Sequence, residues 1–152
     1  MNRWMALARD EGLRGMDANE GGPFGAVVVR KGEIIARAHN EVLATNDPTA
    51  HAEILAIRRA SAVLGRYDLS DCVLYTSCYP CPMCLGAVFW SRIPTVYYGA
   101  TQQDAAVGGF DDERFYETLA APEKALDLRP LDTERGKELF LRWNAKEDKI
   151  LY

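Results

Sequence analysis

The chain has 152 residues, of which 48% are hydrophobic and 26% charged, so it has the composition of a globular protein and the length of one domain. Its net charge is −4, and its Lys and Arg are scattered, whereas proteins that hold nucleic acid usually carry a basic stripe, so a nucleic-acid partner is disfavoured. No stretch is apolar enough for a membrane span and no signal peptide is recognisable, so we expect a cytoplasmic protein.

The first forty residues predict a helix followed by a hairpin. Apolar residues at helical spacing predict an amphipathic helix that ends at Gly15 or in the Asn19–Pro23 loop. The apolar positions are Trp4, Met5, Leu7, Ala8 and Leu13. Two β-type segments, Phe24–Arg30 and Glu33–His39, flank a turn at Lys31–Gly32 and predict a β-hairpin.

The remaining chain alternates helical and extended patterns. After a polar loop at Asn40–Pro48, Thr49 is placed to cap a helix that carries His51 and Glu53. The later predictions are a strand at Cys72–Thr76, a helix at Pro80–Trp90, a strand at Val96–Gly99, a loop at Thr101–Phe110, a helix at 113–121, a weaker strand at Ala125–Leu131 and a helix at Thr133–Lys146. This alternation indicates one α/β domain with helices packed on a central sheet.

Two short strings carry the chemistry of this sequence. His51-Ala52-Glu53 and Pro80-Cys81-Pro82-Met83-Cys84 supply one imidazole and two thiolates, a ligand set that Zn²⁺ accepts with its fourth tetrahedral position left for water. Glu53 is not needed as a ligand and is therefore free to move protons. Both strings fall at predicted helix starts, where the helix dipole favours thiolate and hydroxide. The H-x-E and P-C-x-x-C pattern is that of zinc nucleobase deaminases.

Two other interpretations of the cysteines stay open at this point. Cys81 and Cys84, or Cys78 and Cys81, have the spacing of a thioredoxin-like redox pair, although a redox pair gives His51 and Glu53 no role. A structural zinc site would need a fourth protein ligand, for which the candidates are Cys78, Cys72 and His39. Pro80 and Pro82 argue against Cys78, because they predict a helix start that puts Cys81 and Cys84 on one face and Cys78 back toward the strand.

The sequence resembles the cytidine-deaminase superfamily and, within it, the bacterial guanine deaminases. The resemblance runs from about Gly21 to Tyr116. It rests on the strings Gly22–Val27, Asn40, Asn46–Glu53, Thr76–Ala87 and Gly109–Asp112. It implies a three-layer α/β/α fold with a central mixed sheet of about five strands and helices on both faces. It also implies a hydrolase that acts on cyclic amidines, with one Zn²⁺ per subunit.

The resemblance assigns roles to individual residues. It implies His51, Cys81 and Cys84 as zinc ligands, with Glu53 as proton shuttle and Asp112 as an aid to proton transfer toward the departing amine. It implies four substrate-binding residues, which are Asn40, Phe24, Ala52 and Tyr152. From periodicity alone, Phe24 would be a core residue, Asn40 a turn residue and Asp112 part of a solvated helix start.

Two features extend or depart from the family pattern. In the bacterial guanine deaminases the C-terminal segment enters the neighbouring subunit, so the resemblance implies a homodimer in which segment 146–152 is exchanged. Tyr79 departs from the pattern, because related enzymes often carry Glu immediately before the Pro of P-C-x-x-C. Tyrosine cannot supply that carboxylate's charge.

These observations predict zinc-dependent deamination of a purine base, with guanine giving xanthine and ammonia. The alternatives are deamination of guanosine or of an amino-heterocycle such as ammeline, and deamination of tRNA adenosine, which the acidic charge balance disfavours. A zinc-stabilised binding module without turnover is the alternative outside the enzymes. A substitution of Glu53 separates the module from the enzymes.

Overall fold

A mixed four-stranded sheet forms the centre of the first of two compact units. The computed structural model describes residues 2–152, and the units are Met1–Tyr116 and Glu117–Tyr152. The strands are β1 (Gly25–Arg30), β2 (Glu33–His39), β3 (Cys72–Cys78) and β4 (Thr95–Ala100). Their order is β2-β1-β3-β4, with β1 antiparallel to β2 and β3, and β3 parallel to β4.

Seven helices accompany the strands in the described part of the chain. They are α1 (Arg3–Asp17), α2 (Val42–Thr45), α3 (Ala52–Leu64), α4 (Pro82–Ser91), α5 (Gln102–Val107), α6 (Asp112–Leu119) and α7 (Thr133–Ala145). A 3₁₀ turn at Pro122–Lys124 precedes α7 in the second unit. None of the helices within residues 2–152 combines the length and apolarity needed to cross a bilayer.

The side chains of β1 alternate between two apolar layers. Val27 and Val29 pack with Ala8 of α1, whereas Ala26 and Val28 face the cluster that contains residues of α3 and α4. Because successive residues of a strand point to opposite faces, a strand covered on both faces is a continuous apolar run, as β1 is from Gly25 to Val29. The expected three-layer α/β/α arrangement is therefore confirmed, with four strands instead of about five.

Helix α1 approaches β1 more closely than a side chain at the contact would allow. A Cβ atom added to Gly25 would lie 2.0 Å from the carbonyl oxygen of Ala8 and 2.5 Å from the backbone nitrogen of Gly12. The predicted hairpin is also confirmed, since Lys31 and Gly32 both have positive φ angles, 50° and 77°. Such angles are typical of the two-residue turns that match the twist of paired strands.

Two predictions for the later chain were wrong. The weak strand expected at Ala125–Leu131 does not form, because local turns use its backbone: the N–H of Leu126 donates to Pro122 O and that of Leu128 to Leu126 O. The loop expected at Thr101–Phe110 contains helix α5. Its signal was present in the sequence, because Thr101 and Asp104 form a reciprocal capping box.

Candidate active site

Two helix N-termini meet at the proposed metal site. His51 is the N-cap of α3 and Cys81 is the N-cap of α4, with Pro82 in the first turn. The expectation that both strings start helices is confirmed. The prediction that Thr49 caps α3 was wrong, since its N–H and hydroxyl both donate to Asp47 Oδ1, at 2.8 and 2.7 Å. The Asp47 carboxylate thus closes a turn with Thr49 just before the helix.

The three predicted ligands lie together. The Nδ1 atom of His51 is 3.5 Å from the sulfur of Cys81 and 3.5 Å from the sulfur of Cys84, and the three ligand atoms lie within 4.8 Å of one another. Zinc bonds of about 2.1 Å to nitrogen and 2.3 Å to sulfur, at the tetrahedral angle, place these atoms about 3.6 Å apart. The donor set therefore fits Zn²⁺ in both chemistry and spacing.

The alternative fourth ligands have other partners. The Cys78 thiol donates to the carbonyl of Thr101 at 3.7 Å, and the Cys72 thiol contacts Asp71 at 3.6 Å. The His39 ring lies between Glu11 and Glu20. None of the three belongs to the His51, Cys81 and Cys84 group. This arrangement favours a site with three protein ligands over a structural site closed by four.

The electrostatics of the ligands favour a cation. A hydrogen bond from the Cys84 thiol lowers the pKa of Cys81 despite burial, with help from His51. A hydrogen bond to Cys81 raises the pKa of His51 in turn. The Cys81 thiol is therefore readily deprotonated. The neighbouring Cys84 thiol and His51 imidazole hold the protons that form hydrogen bonds with it. A divalent cation can replace those protons among the same donors.

Glu53 lies beside the ligands and is almost completely enclosed. Its side chain is 5% exposed. Its Oε1 accepts a hydrogen bond from the hydroxyl of Thr76 at 2.9 Å, and its Oε2 lies 3.5 Å from the sulfur of Cys84. Burial raises the pKa of Glu53. A carboxyl group with a raised pKa can both take up and release a proton near neutral pH.

A cavity of about 510 Å³ opens next to this carboxylate. It lies entirely within the first unit. Its walls are Met16, Gly21, Gly22, Pro23, Phe24, Asn40, Val42, Leu43, Pro48, His51, Glu53, Tyr79, Cys81, Phe110 and Asp112. The volume is in the range of pockets that take small ligands.

The predicted substrate-binding residues divide into two groups. Phe24 and Asn40 line the cavity, and the rings of Phe24 and Phe110 pack edge to face, with centroids 4.8 Å apart. The side chain of Ala52, the first residue of α3, is fully buried in the core and does not line the cavity. Tyr152 belongs to the second unit and is 68% exposed.

Asp112 lies at the start of α6 and lines the cavity. Its pKa is raised, first by burial and then by the negative charge of Cys81. The same helix contacts the metal-binding loop, because the Tyr116 hydroxyl donates a 2.5 Å hydrogen bond to the carbonyl of Pro80. Tyr116 also packs edge-on against Tyr79, with ring centroids 6.1 Å apart.

Several residues of the site had no assigned role in the sequence analysis. Thr76 and Tyr116 make hydrogen bonds to site elements across 23 and 36 residues of chain, and nothing local in the sequence signals such contacts. Met16, Val42 and Leu43 line the cavity from segments without chemical motifs. Pro48 and Phe110 belong to the strings on which the resemblance rests, and that resemblance was the signal that could have pointed to them. Tyr79, which departs from the pattern that the resemblance implies, also lines the cavity.

The chain is similar to characterised deaminases. Residues 1–100 match the cytidine and deoxycytidylate deaminase zinc-binding region. Guanine deaminase of Bacillus subtilis is 57% identical over 140 residues, which cover 91% of this chain and 90% of the relative. The crystal structure of the Bacillus enzyme aligns with a TM-score of 0.94 and 45% identity, covering 100% of this chain and 99% of that chain.

Two further relatives share less of the architecture. A solved guanine deaminase structure from Nitrosomonas europaea aligns with a TM-score of 0.69 and 33% identity, covering 90% of this chain and 71% of that chain. A tRNA-specific adenosine deaminase of Streptococcus pyogenes is 45% identical over 114 residues, 75% of this chain and 63% of the relative. The chain therefore belongs to the cytidine and deoxycytidylate deaminase family, among its guanine deaminases.

Proposed function

We propose that this protein is a zinc-dependent hydrolase that converts guanine and water into xanthine and ammonia. The observation that carries the proposal is the position of Glu53. Its buried carboxyl group lies between a three-donor metal site and a cavity of about 510 Å³. Similarity to two guanine deaminases supports guanine as the base.

His51, Cys81 and Cys84 would hold one Zn²⁺ per subunit. When bound, the ion lowers the pKa of water, so that a hydroxide nucleophile is available near neutral pH. The thiolates and the imidazole are supplied at two helix N-termini, whose positive dipole ends favour anionic groups. The protein's own contribution to the chemistry is the movement of protons and the positioning of the base.

Glu53 performs the proton transfers in this proposal. As the C2–O bond forms, the Glu53 carboxylate accepts a proton from the attacking water and delivers it to a ring nitrogen. The second proton comes from the new C2 hydroxyl group, which becomes the C2 carbonyl of xanthine, and its transfer to the amine releases ammonia as the C2–N bond breaks. Asp112 lines the same cavity with a raised pKa and assists this second transfer.

Asn40 and Phe24 orient the purine. Asn40 is 5% exposed, and its Oδ1 accepts a 3.1 Å hydrogen bond from the N–H of Val42, which fixes the orientation of its amide. An amide held in this way can bind the polar edge of a base. Phe24, held perpendicular to Phe110, offers an aromatic surface to the ring.

The assembly and compartment are also part of the proposal. We expect a homodimer in which segment 146–152 of one subunit closes the cavity of the other. Large apolar side chains support a contact role for the segment, since Ile150, Leu151 and Tyr152 are 68%, 72% and 68% exposed. A cytoplasmic location suits the chemistry, because thiolate ligands need a reducing compartment.

Ammonia release from a panel of substrates tests the function. We expect guanine to be preferred over guanosine, ammeline, adenine, cytosine and cytidine, with zinc content measured on the same sample. Preference for cytidine or adenine would contradict the guanine proposal. The relationship to a tRNA-specific adenosine deaminase makes a tRNA substrate a useful comparison. Salt-dependent binding and deamination of tRNA, with guanine left unchanged, would overturn the proposal.

A further inference from the structure

A cluster of ionisable side chains lies outside the catalytic machinery, between α1 and β2, with two buried members and more exposed partners around them. Glu11 of α1 and His39 of β2 are each 5% exposed. The Glu11 carboxylate accepts a hydrogen bond from Arg14 Nη2 at 2.6 Å, forms an ion pair with Arg37 Nε at 3.1 Å, and lies 3.3 Å from His39 Nδ1. Burying charge is costly unless it is paired. The cluster therefore holds α1 and the end of β2 in one arrangement.

The second ring nitrogen of His39 extends the cluster to Glu20. Nε2 of His39 contacts the carboxylate of Glu20, whereas Nδ1 faces Glu11 and Arg14. A carboxylate only accepts hydrogen bonds, so Nε2 of His39 is protonated and donates a hydrogen bond to Glu20. The His39 ring thus links the buried end of α1 to the loop that follows the helix.

The position of the His39 ring leaves no room for adjustment toward α1. A Cβ atom added to Gly15 would lie 2.3 Å from Cδ2 of His39. Glycine at this position lets the ring lie against the helix backbone. The ring is therefore confined by the helix backbone and by a carboxylate at each end. Its position is fixed, so it can position the residues that bind to it.

The backbone of Glu20 in turn contacts the segment that carries Leu43, a residue that lines the cavity. The Glu20 carbonyl oxygen accepts hydrogen bonds from the N–H groups of Leu43 at 3.0 Å and Ala44 at 2.9 Å. The next residue, Gly21, lies so close to Asn40 that an added Cβ would be 2.2 Å from Asn40 Oδ1. Gly21, Asn40 and Leu43 all line the cavity, and we call these three residues the binding wall.

We infer that the hydrogen bond from His39 to Glu20 positions the binding wall and thereby sets the affinity for the purine. This inference rests on the proposed function for the identity of the ligand. Neither His39 nor Glu20 lines the cavity, so both act through the wall. Glu53 and the metal ligands lie on α3 and α4. Weakening this bond by removing the charge of its acceptor should therefore weaken binding and leave the chemical step unchanged.

The test compares Glu20→Gln with Glu33→Gln, which removes the same charge from an exposed position at the start of β2. Glu20→Gln keeps the size of the side chain and replaces the charged acceptor by a neutral amide. We expect KM for guanine and the inhibition constant of xanthine to rise about tenfold, with kcat within about twofold of the wild type. Zinc content should be equal in all three proteins, and Glu33→Gln should match the wild type.

Hydrogen exchange provides a readout that does not depend on the substrate. The amides of Leu43 and Ala44 bond to the Glu20 carbonyl, so their exchange should accelerate about tenfold in Glu20→Gln and not in Glu33→Gln. An inactive wild type would refute the proposed function. The exchange rates would still show whether the bond from His39 to Glu20 positions the binding wall. Unchanged exchange, or a fall in kcat with KM unchanged, would overturn the inference.

Discussion

The Thr76 hydroxyl donates a 2.9 Å hydrogen bond to the Glu53 carboxylate and so connects β3 to the group that we propose moves protons. Thr76 is 1% exposed and Glu53 is 5% exposed, so water does not compete for this bond. Burial raises the pKa of Glu53, and the hydrogen bond from Thr76 opposes that effect. The bond therefore fixes both the orientation of the carboxylate and part of its proton affinity.

Thr76→Val should lower kcat about tenfold and leave KM nearly unchanged, because it removes the bond that orients Glu53 and keeps the shape of the side chain. Steady-state ammonia release measures both constants. Thr95→Val makes the same change at the start of β4, away from the cavity, and should behave as the wild type. Equal kcat values for the two variants would show that Thr76 does not orient Glu53.

Glu53→Gln should reduce kcat by about 10²- to 10⁴-fold, because the amide cannot accept a proton from water. Zinc content should be unchanged, since the proposed metal donors are His51, Cys81 and Cys84. Metal analysis and kinetics on the same sample separate the two effects. Activity close to the wild type would contradict the role of Glu53, and loss of zinc would indicate a structural role for this carboxylate.

Tyr116→Phe should lower kcat by about tenfold, because it removes the 2.5 Å hydrogen bond from α6, which carries Asp112, to the Pro80 carbonyl. Tyr97→Phe is the matched control, since Tyr97 is 53% exposed on β4 and stacks on Tyr75. Kinetics should distinguish the two variants while zinc content stays equal. A Tyr116→Phe enzyme with the kinetics of Tyr97→Phe would refute this positioning role.

Glu11→Gln should destabilise the protein by about 1–2 kcal/mol at pH 7. This free energy is small for a buried carboxylate because Arg14 and Arg37 are 64% and 58% exposed, so solvent screens their charges. Burial opposes ionisation of Glu11, but hydrogen bonds from Arg14 and His39, with the charges of Arg14 and Arg37, hold its pKa below 4.5. The stabilisation is therefore fully present above pH 4.5 and is lost as the pH falls through the lower, folded-state value.

Urea unfolding of the wild type and Glu11→Gln between pH 7 and pH 3 measures this dependence. The difference in the free energy of unfolding should be largest near pH 7 and shrink below pH 4.5. Glu33→Gln, which alters an exposed carboxyl group, should show a small difference throughout. A difference for Glu11→Gln that grows toward acid pH would contradict the assigned direction.

Deletion of segment 146–152 should reduce turnover of guanine without removing zinc, because the proposed exchange places this segment over the partner's cavity. Kinetics test whether the segment closes the cavity, and metal analysis tests whether zinc is retained. The mass of the assembly in solution tests whether the chain forms a homodimer. Tyr152→Ala separates the terminal ring from the rest of the segment. Unchanged kinetics after the deletion would end the proposal that this segment closes a cavity.

Much of the architecture could be predicted because its signals are local. The hairpin follows from two extended segments around Lys31 and Gly32, and the helix at Pro82 follows from a proline in its first turn. The cap of α3 could not be predicted in this way, because Thr49 donates to Asp47 in a turn before the helix, and His51 is the N-cap without a side-chain capping bond. The strand at Ala125–Leu131 failed because a strand needs a hydrogen-bonded neighbour, and a neighbour is not a property of the segment itself.

The amino-acid sequence by itself identified the proposed metal donors and the proposed proton carrier, since His51 with Glu53 and Cys81 with Cys84 are short-range pairs at helix starts. Only the tertiary structure decided which groups orient them and what shape the substrate meets. Thr76 lies 23 residues from Glu53, and Tyr116 lies 36 residues from Pro80. Contacts over such separations arise from packing on the sheet, which joins segments that have no local signal in common.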